Sequence, residues 1–95
     1  MHSGLDPIHP GEFLNEILTA LGVSQAAFAH TIGVSPMRVS HVVNGSRPVT
    51  ADLALRFAKA LKQTPQYWLN LQTAHDLAIA SKTIGKQLKT IKAVA

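Results

Sequence analysis

Between Ser35 and Asn44 the chain reads SPMRVSHVVN, and its side chains sort into two chemistries. Arg38 carries a planar fork of N–H donors, Ser40 a hydroxyl that donates and accepts, and His41 an imidazole that does either. Met37 adds an unbranched, polarisable apolar tip. Val39, Val42 and Val43 recur at spacings of three and four, the signature of one helical face. A short helix of this kind attaches by its valines and offers Met37, Arg38, Ser40 and His41 outward. Just beyond it, Asn44, Ser46 and Arg47 supply an amide, a hydroxyl and a guanidinium, groups that suit anionic oxygens.

Other chemistry lacks its parts. The absence of cysteine excludes disulfides, thiol nucleophiles and thiolate-bound metals. His2, His9, His30, His41 and His75 fall on different predicted elements without a paired ligand spacing, so no metal site is expected. There is no HExxH, no phosphate-cradling glycine loop and no pair of carboxylates in a common cleft. The expectation is a protein with no catalytic residue and no cofactor.

Charge points to a polyanionic partner. Nine Lys/Arg against five Asp/Glu give +4, and the distribution is uneven. The first 25 residues contain Asp6, Glu12 and Glu16 but no Lys or Arg. Arg38, Arg47, Arg56, Lys59 and Lys62 then follow with Asp52 as the sole acid, and Lys82, Lys86, Lys89 and Lys92 occupy the tail. A basic balance favours phosphate-rich partners through steering and counterion release. No apolar run approaches the roughly 18 residues of a membrane span, and the N-terminus lacks the pattern of a secretion signal. A cytoplasmic protein with no membrane partner is expected.

The length of 95 residues and the 46% of hydrophobic residues suit one domain spanning residues 1–95. Helical signals dominate it. In HPGEFLNEILTALG, Pro10 opens a helix and Leu14, Ile17, Leu18 and Leu21 form its stripe. Ser24 caps QAAFAHTI, Gly33 permits a left-handed turn, and Ser35 with Pro36 starts a helix to Asn44. Thr50 caps ADLALRFAKAL, in which Asp52 and Arg56 form an i, i+4 pair. Thr64 and Pro65 begin a C-terminal helical extension over 65–92, with Trp68 as its buried anchor. Gly85 marks a place where an extra C-terminal helix could separate. The stripe Leu77, Ile84, Leu88 and Ile91 is expected to pack on the core, with pairing of two chains as the alternative. The fold class is all-α, with five helices and room for a sixth.

Two short helices at residues 25–44, joined through a glycine turn, meet the packing demands of a helix-turn-helix, whose second helix lies in the DNA major groove. Ala29 is small where the helices approach, and Ile32, Val34, Val39 and Val42 fill the shared core. The pattern resembles the λ-repressor-like domains of phage repressors and Xre-type regulators. Over residues 9 to 77, HPGEFLNEIL, GVSQAAFA, NGSRPVTADLALRFAKAL and PQYWLNLQTAHDL together resemble the HigA (VapI-like) family of antitoxins.

That resemblance implies a homodimeric repressor that binds double-stranded operator DNA of its own operon and neutralises a HigB-type toxin, a RelE-like mRNA endonuclease. It implies base reading by Met37, Arg38, Ser40 and His41, where Arg38 suits guanine O6 and N7 and Met37 a thymine methyl. It implies backbone contacts from Gln25, Ser35, Pro36, Asn44, Ser46 and Arg47. No toxin-contact residue is marked. A stand-alone Xre-type regulator or a prophage repressor shares the same DNA chemistry, and a module that binds only protein would not need the basic outer face.

Overall fold

The computed structural model describes residues 7–95. Among them are five helices and no strand: α1 Pro10–Leu21, α2 Gln25–Ile32, α3 Pro36–Val43, α4 Ala51–Leu61 and α5 Pro65–Leu88. The expected all-α class and the two helices of the 25–44 unit are present, with Asn44 serving as the C-cap of α3.

Four helices start as the side-chain chemistry dictates. The hydroxyls of Ser24, Ser35, Thr50 and Thr64 accept the backbone N–H of Ala27, Arg38, Leu53 and Tyr67. Each such cap contributes about 1 kcal/mol. Helix α1 starts differently: His9 Nδ1 accepts the Gly11 N–H at 2.9 Å. At the end of α4, Lys62 adopts the left-handed conformation (φ 57°) without being a glycine.

The core collects one or more faces of every helix. Leu14 and Leu18 come from α1, Phe28, Ala29 and Ile32 from α2, Val39 and Val42 from α3, Leu53, Ala54 and Phe57 from α4, and Trp68 from α5. Trp68 is fully buried, as its anchor role requires. Its ring meets Phe57 edge-on with centroids 5.2 Å apart, and its indole N–H donates to Gln63 Oε1 at 2.7 Å. Burying a large ring without stranding its N–H is what makes it an economical keystone.

Helix α5 differs from expectation in two ways. It continues unbroken through Ser81 and Gly85 to Leu88, so no sixth helix separates, and the helical extension ends four residues before 92. Its outer stripe does not pack on the core: Leu77 is 62% exposed, Leu88 46% and Ile91 69%. The reason is length. Helices α1 to α4 have 8 to 12 residues and span at most about 18 Å, whereas the 24 residues of α5 span about 36 Å. Only the Trp68–His75 part finds a body to pack against, and the molecule measures 49 × 31 × 20 Å. Among the described residues no helix is long and apolar enough to cross a membrane.

One crossing sets the pose of α3. Gly11 is buried against it so closely that a Cβ would overlap the Val42 carbonyl oxygen and come within 2.9 Å of Val43 Cα. Both neighbours are backbone and cannot swing away. Gly11→Ala is therefore expected to destabilise the fold by about 3 kcal/mol, the upper end of overpacking costs. A thermal melt followed by circular dichroism checks this, and an unchanged midpoint would refute the close crossing.

Candidate nucleic-acid interface

Helices α2 and α3 are linked by the three residues Gly33–Ser35. Gly33 takes φ 75°, and the Val34 N–H reaches back to the Ala29 carbonyl at 3.0 Å, closing the turn. Ala29 and Ile32 are buried beneath it, so α3 is held by Val39 and Val42 while its other side is left open. Met37 stands 66% exposed, Ser35, Pro36 and Arg38 are exposed, and Ser40 and His41 are half-buried.

The structure brings part of the candidate set together. Ser35, Met37, Arg38, His41 and Arg47 line a cleft of about 400 Å³ whose apolar walls include Val42, Pro48 and Leu53. Ser40 and Gln25 lie outside that cleft. Asn44 and Ser46 are outside it as well, and they engage each other. The Asn44 side-chain oxygen accepts the Ser46 N–H at 3.0 Å and its hydroxyl at 2.7 Å, an Asx turn that shapes the loop. The Arg47 N–H is held by the His41 carbonyl at 3.1 Å, leaving its side chain exposed.

Residues the sequence did not single out fix this loop from behind. The Val49 N–H donates to Gln72 Oε1 at 2.7 Å, and Gln72 Nε2 donates to Asp76 at 2.9 Å. Gln72 falls four residues after Trp68, so a polar residue on the core-facing stripe was the available signal. His9 packs its ring on Gly45 and meets His75 edge-on at 4.9 Å. Burial first, and His75 second, push the His9 pKa below its usual value, against smaller opposing effects led by a hydrogen bond to the Arg47 backbone. With Nδ1 accepting from Gly11, the proton of the neutral ring is assigned to Nε2.

A second brace lies across the front. Arg56 Nε donates to Asp52 Oδ1 at 2.7 Å, the expected pair. The same oxygen accepts Arg38 Nη2 at 3.5 Å, a contact that sequence spacing does not reveal. Arg56 Nη1 also donates to the Ile32 carbonyl at 2.7 Å, at the negative end of α2. A Cβ on Gly33 would press to 3.3 Å from that nitrogen, so the turn glycine also makes room for the guanidinium. Hydrogen bonding from Arg56 above all, with further help from Arg38, holds the Asp52 carboxyl below the ordinary carboxylate range.

A two-helix unit tied by a left-handed turn, with its second helix presenting polar and cationic side chains outward, defines a helix-turn-helix protein. The helix-turn-helix family profile HTH_3 matches residues 14–68, more than half of the chain. Antitoxin HigA-1 of Vibrio cholerae is 37% identical, over 90% of this chain and 82% of its own. A HigA-family addiction-module antidote protein from Coxiella burnetii has a similar structure, with a TM-score of 0.90, 42% identity and coverage of 95% of this chain and 99% of that one. Pseudomonas aeruginosa antitoxin HigA, solved with the higBA promoter, superposes with a TM-score of 0.88 at 37% identity, covering 94% and 99%. The chain belongs to the HigA family of helix-turn-helix antitoxins.

Proposed function

We propose that this protein is the antitoxin and autorepressor of a HigBA-type operon: a cytoplasmic, non-enzymatic, single-domain protein that binds operator DNA as a homodimer and neutralises a HigB-type toxin. The observation that carries the DNA half is the outward face of α3, where Met37, Arg38 and His41 share one cleft with Arg47. The similarity to Pseudomonas aeruginosa HigA, solved with the higBA promoter, supports it. In this reading Met37, Arg38, Ser40 and His41 read base edges, and Arg38 does so by a bidentate contact to guanine. Arg47 is the principal phosphate contact, while Gln25, Ser35 and Pro36 place the N-terminal ends of α2 and α3 against the backbone. Asn44 and Ser46 serve mainly by shaping the loop that presents Arg47, because their side chains already bond each other.

The free outer stripe of α5 supports the homodimer. Leu77, Ile84, Leu88 and Ile91 follow the alternating spacing of a helix-pairing seam, and all but Ile91 lie on α5. A second copy of the same stripe is apolar where this one is apolar, with Lys82, Lys86 and Lys89 beside it.

Four outcomes test the reading. Arg38→Ala lowers specific affinity by about 1 to 3 kcal/mol and relaxes preference at one base position, whereas Arg47→Ala weakens all sequences alike and reduces the salt slope by about 0.9. Gel shifts over a salt series separate the two, and an unchanged slope in Arg47→Ala removes its phosphate role. Leu88→Asp is expected to turn a dimer into a monomer in sedimentation velocity, with helicity largely kept; a dimer that persists places the interface elsewhere. Co-expression with a small basic protein encoded beside it is expected to yield a stable complex. A neighbour that never co-purifies leaves the stand-alone regulator as the better reading.

A further inference from the structure

Asp52 is in an unexpected place for a protein that binds a polyanion. It is the sole acid between Glu16 and Asp76, in a stretch that also holds Arg38, Arg47, Arg56, Lys59 and Lys62. Its carboxylate lies 3.5 Å from Arg38, which lines the DNA-facing cleft, and the two arginines beside it favour its charged form. An anion beside phosphates weakens binding to every sequence alike. Its position is explained if it improves discrimination instead.

We propose that Asp52 is a positioning residue for sequence reading: fixed by Arg56, it orients the Arg38 guanidinium over the cleft and penalises duplexes that give Arg38 no guanine. This rests on Arg38 being the base reader. The geometry supplies each requirement. Arg56 bonds the Ile32 carbonyl at 2.7 Å and Asp52 at 2.7 Å, so the carboxylate is anchored to the end of α2 rather than free to follow Arg38. Arg38 spends one N–H on Asp52, and a guanidinium has five, so a two-pronged contact remains available. At 3.5 Å the link is long enough to steer a flexible side chain without capturing it. On a site without guanine the cation stays beside the carboxylate, which neutralises it, so Arg38 brings neither a base contact nor a net charge to the duplex.

Asp52→Asn keeps the volume and an acceptor for Arg56 while removing the charge. Binding to four operator duplexes, differing only in the base pair read by Arg38, measures preference, and a random duplex measures background. Asp52→Asn is expected to raise affinity for the random duplex about threefold and to cut the preference at that position at least about fivefold. In an Arg38→Ala background the same change is expected to leave preference unaltered. If Arg38→Ala abolishes the preference and Asp52→Asn keeps it, the positioning role is wrong and the base reader stands. A loss of preference that Asp52→Asn still causes without Arg38 overturns it too, because Asp52 then acts by another route. Should Arg38→Ala leave every preference intact, the base reader fails and Asp52 falls with it. Asp52→Ser, which also suits a first helical turn, provides the same readout if the Asn variant melts early.

Discussion

The pose of α3, and with it the face that α3 turns outward, depends on one contact between two backbones. Gly11 of α1 lies against the Val42 carbonyl of α3 with no space for a side chain. Hydrocarbon contacts tolerate rearrangement, since methyl groups can repack, but two main chains in direct contact have no such freedom. Val39 and Val42 then fill the remaining volume from α3, and Leu14 and Leu18 fill it from α1. The tilt of the valine side determines where Met37, Arg38 and His41 end up, so the exposed chemistry is held by a contact none of them makes.

Two braces complete the positioning, and they act on different parts. Behind the loop, Gln72, His9 and His75 hold main-chain groups and ring faces. In front, Arg56 and Asp52 tie the end of α2 to the start of α4 and reach across to Arg38. The rear brace places a segment of chain; the front brace places a side chain. Exposed ion pairs of this kind add little stability. Their contribution here is geometric.

Much of this was legible beforehand because the signals are local. The hydroxyl caps at Ser24, Ser35, Thr50 and Thr64, the prolines that follow two of them directly, and the valine spacing of α3 each operate within one turn of helix. What escaped depends on residues far apart in the chain. The Arg38–Asp52 contact spans 14 positions and the Val49–Gln72 bond spans 23. The His9 cap escaped for another reason, since an imidazole is outside the usual choice of N-cap residues. The outer stripe of α5 shows a third kind of limit: periodicity reveals that one face is apolar, but whether anything lies opposite depends on how far the neighbouring helices extend. Similar structures cover about 95% of this chain, well past the residue 77 at which the sequence resemblance ended. The long helix is therefore a shared feature of the fold.

That helix also has a mechanical aspect. Trp68 is fully enclosed, and one turn later Gln72 grips the Val49 amide through a single 2.7 Å bond, while residues from Leu77 onward have no body beneath them. A rod clamped near one end and free at the other is a lever. Its fulcrum is the indole, its short arm carries the loop that presents Arg47, and its long arm ends among the lysines. Gln72 lies about 6 Å along the helix from Trp68 and Leu88 about 30 Å, so a displacement of the far end would reach the loop at about one fifth of its size.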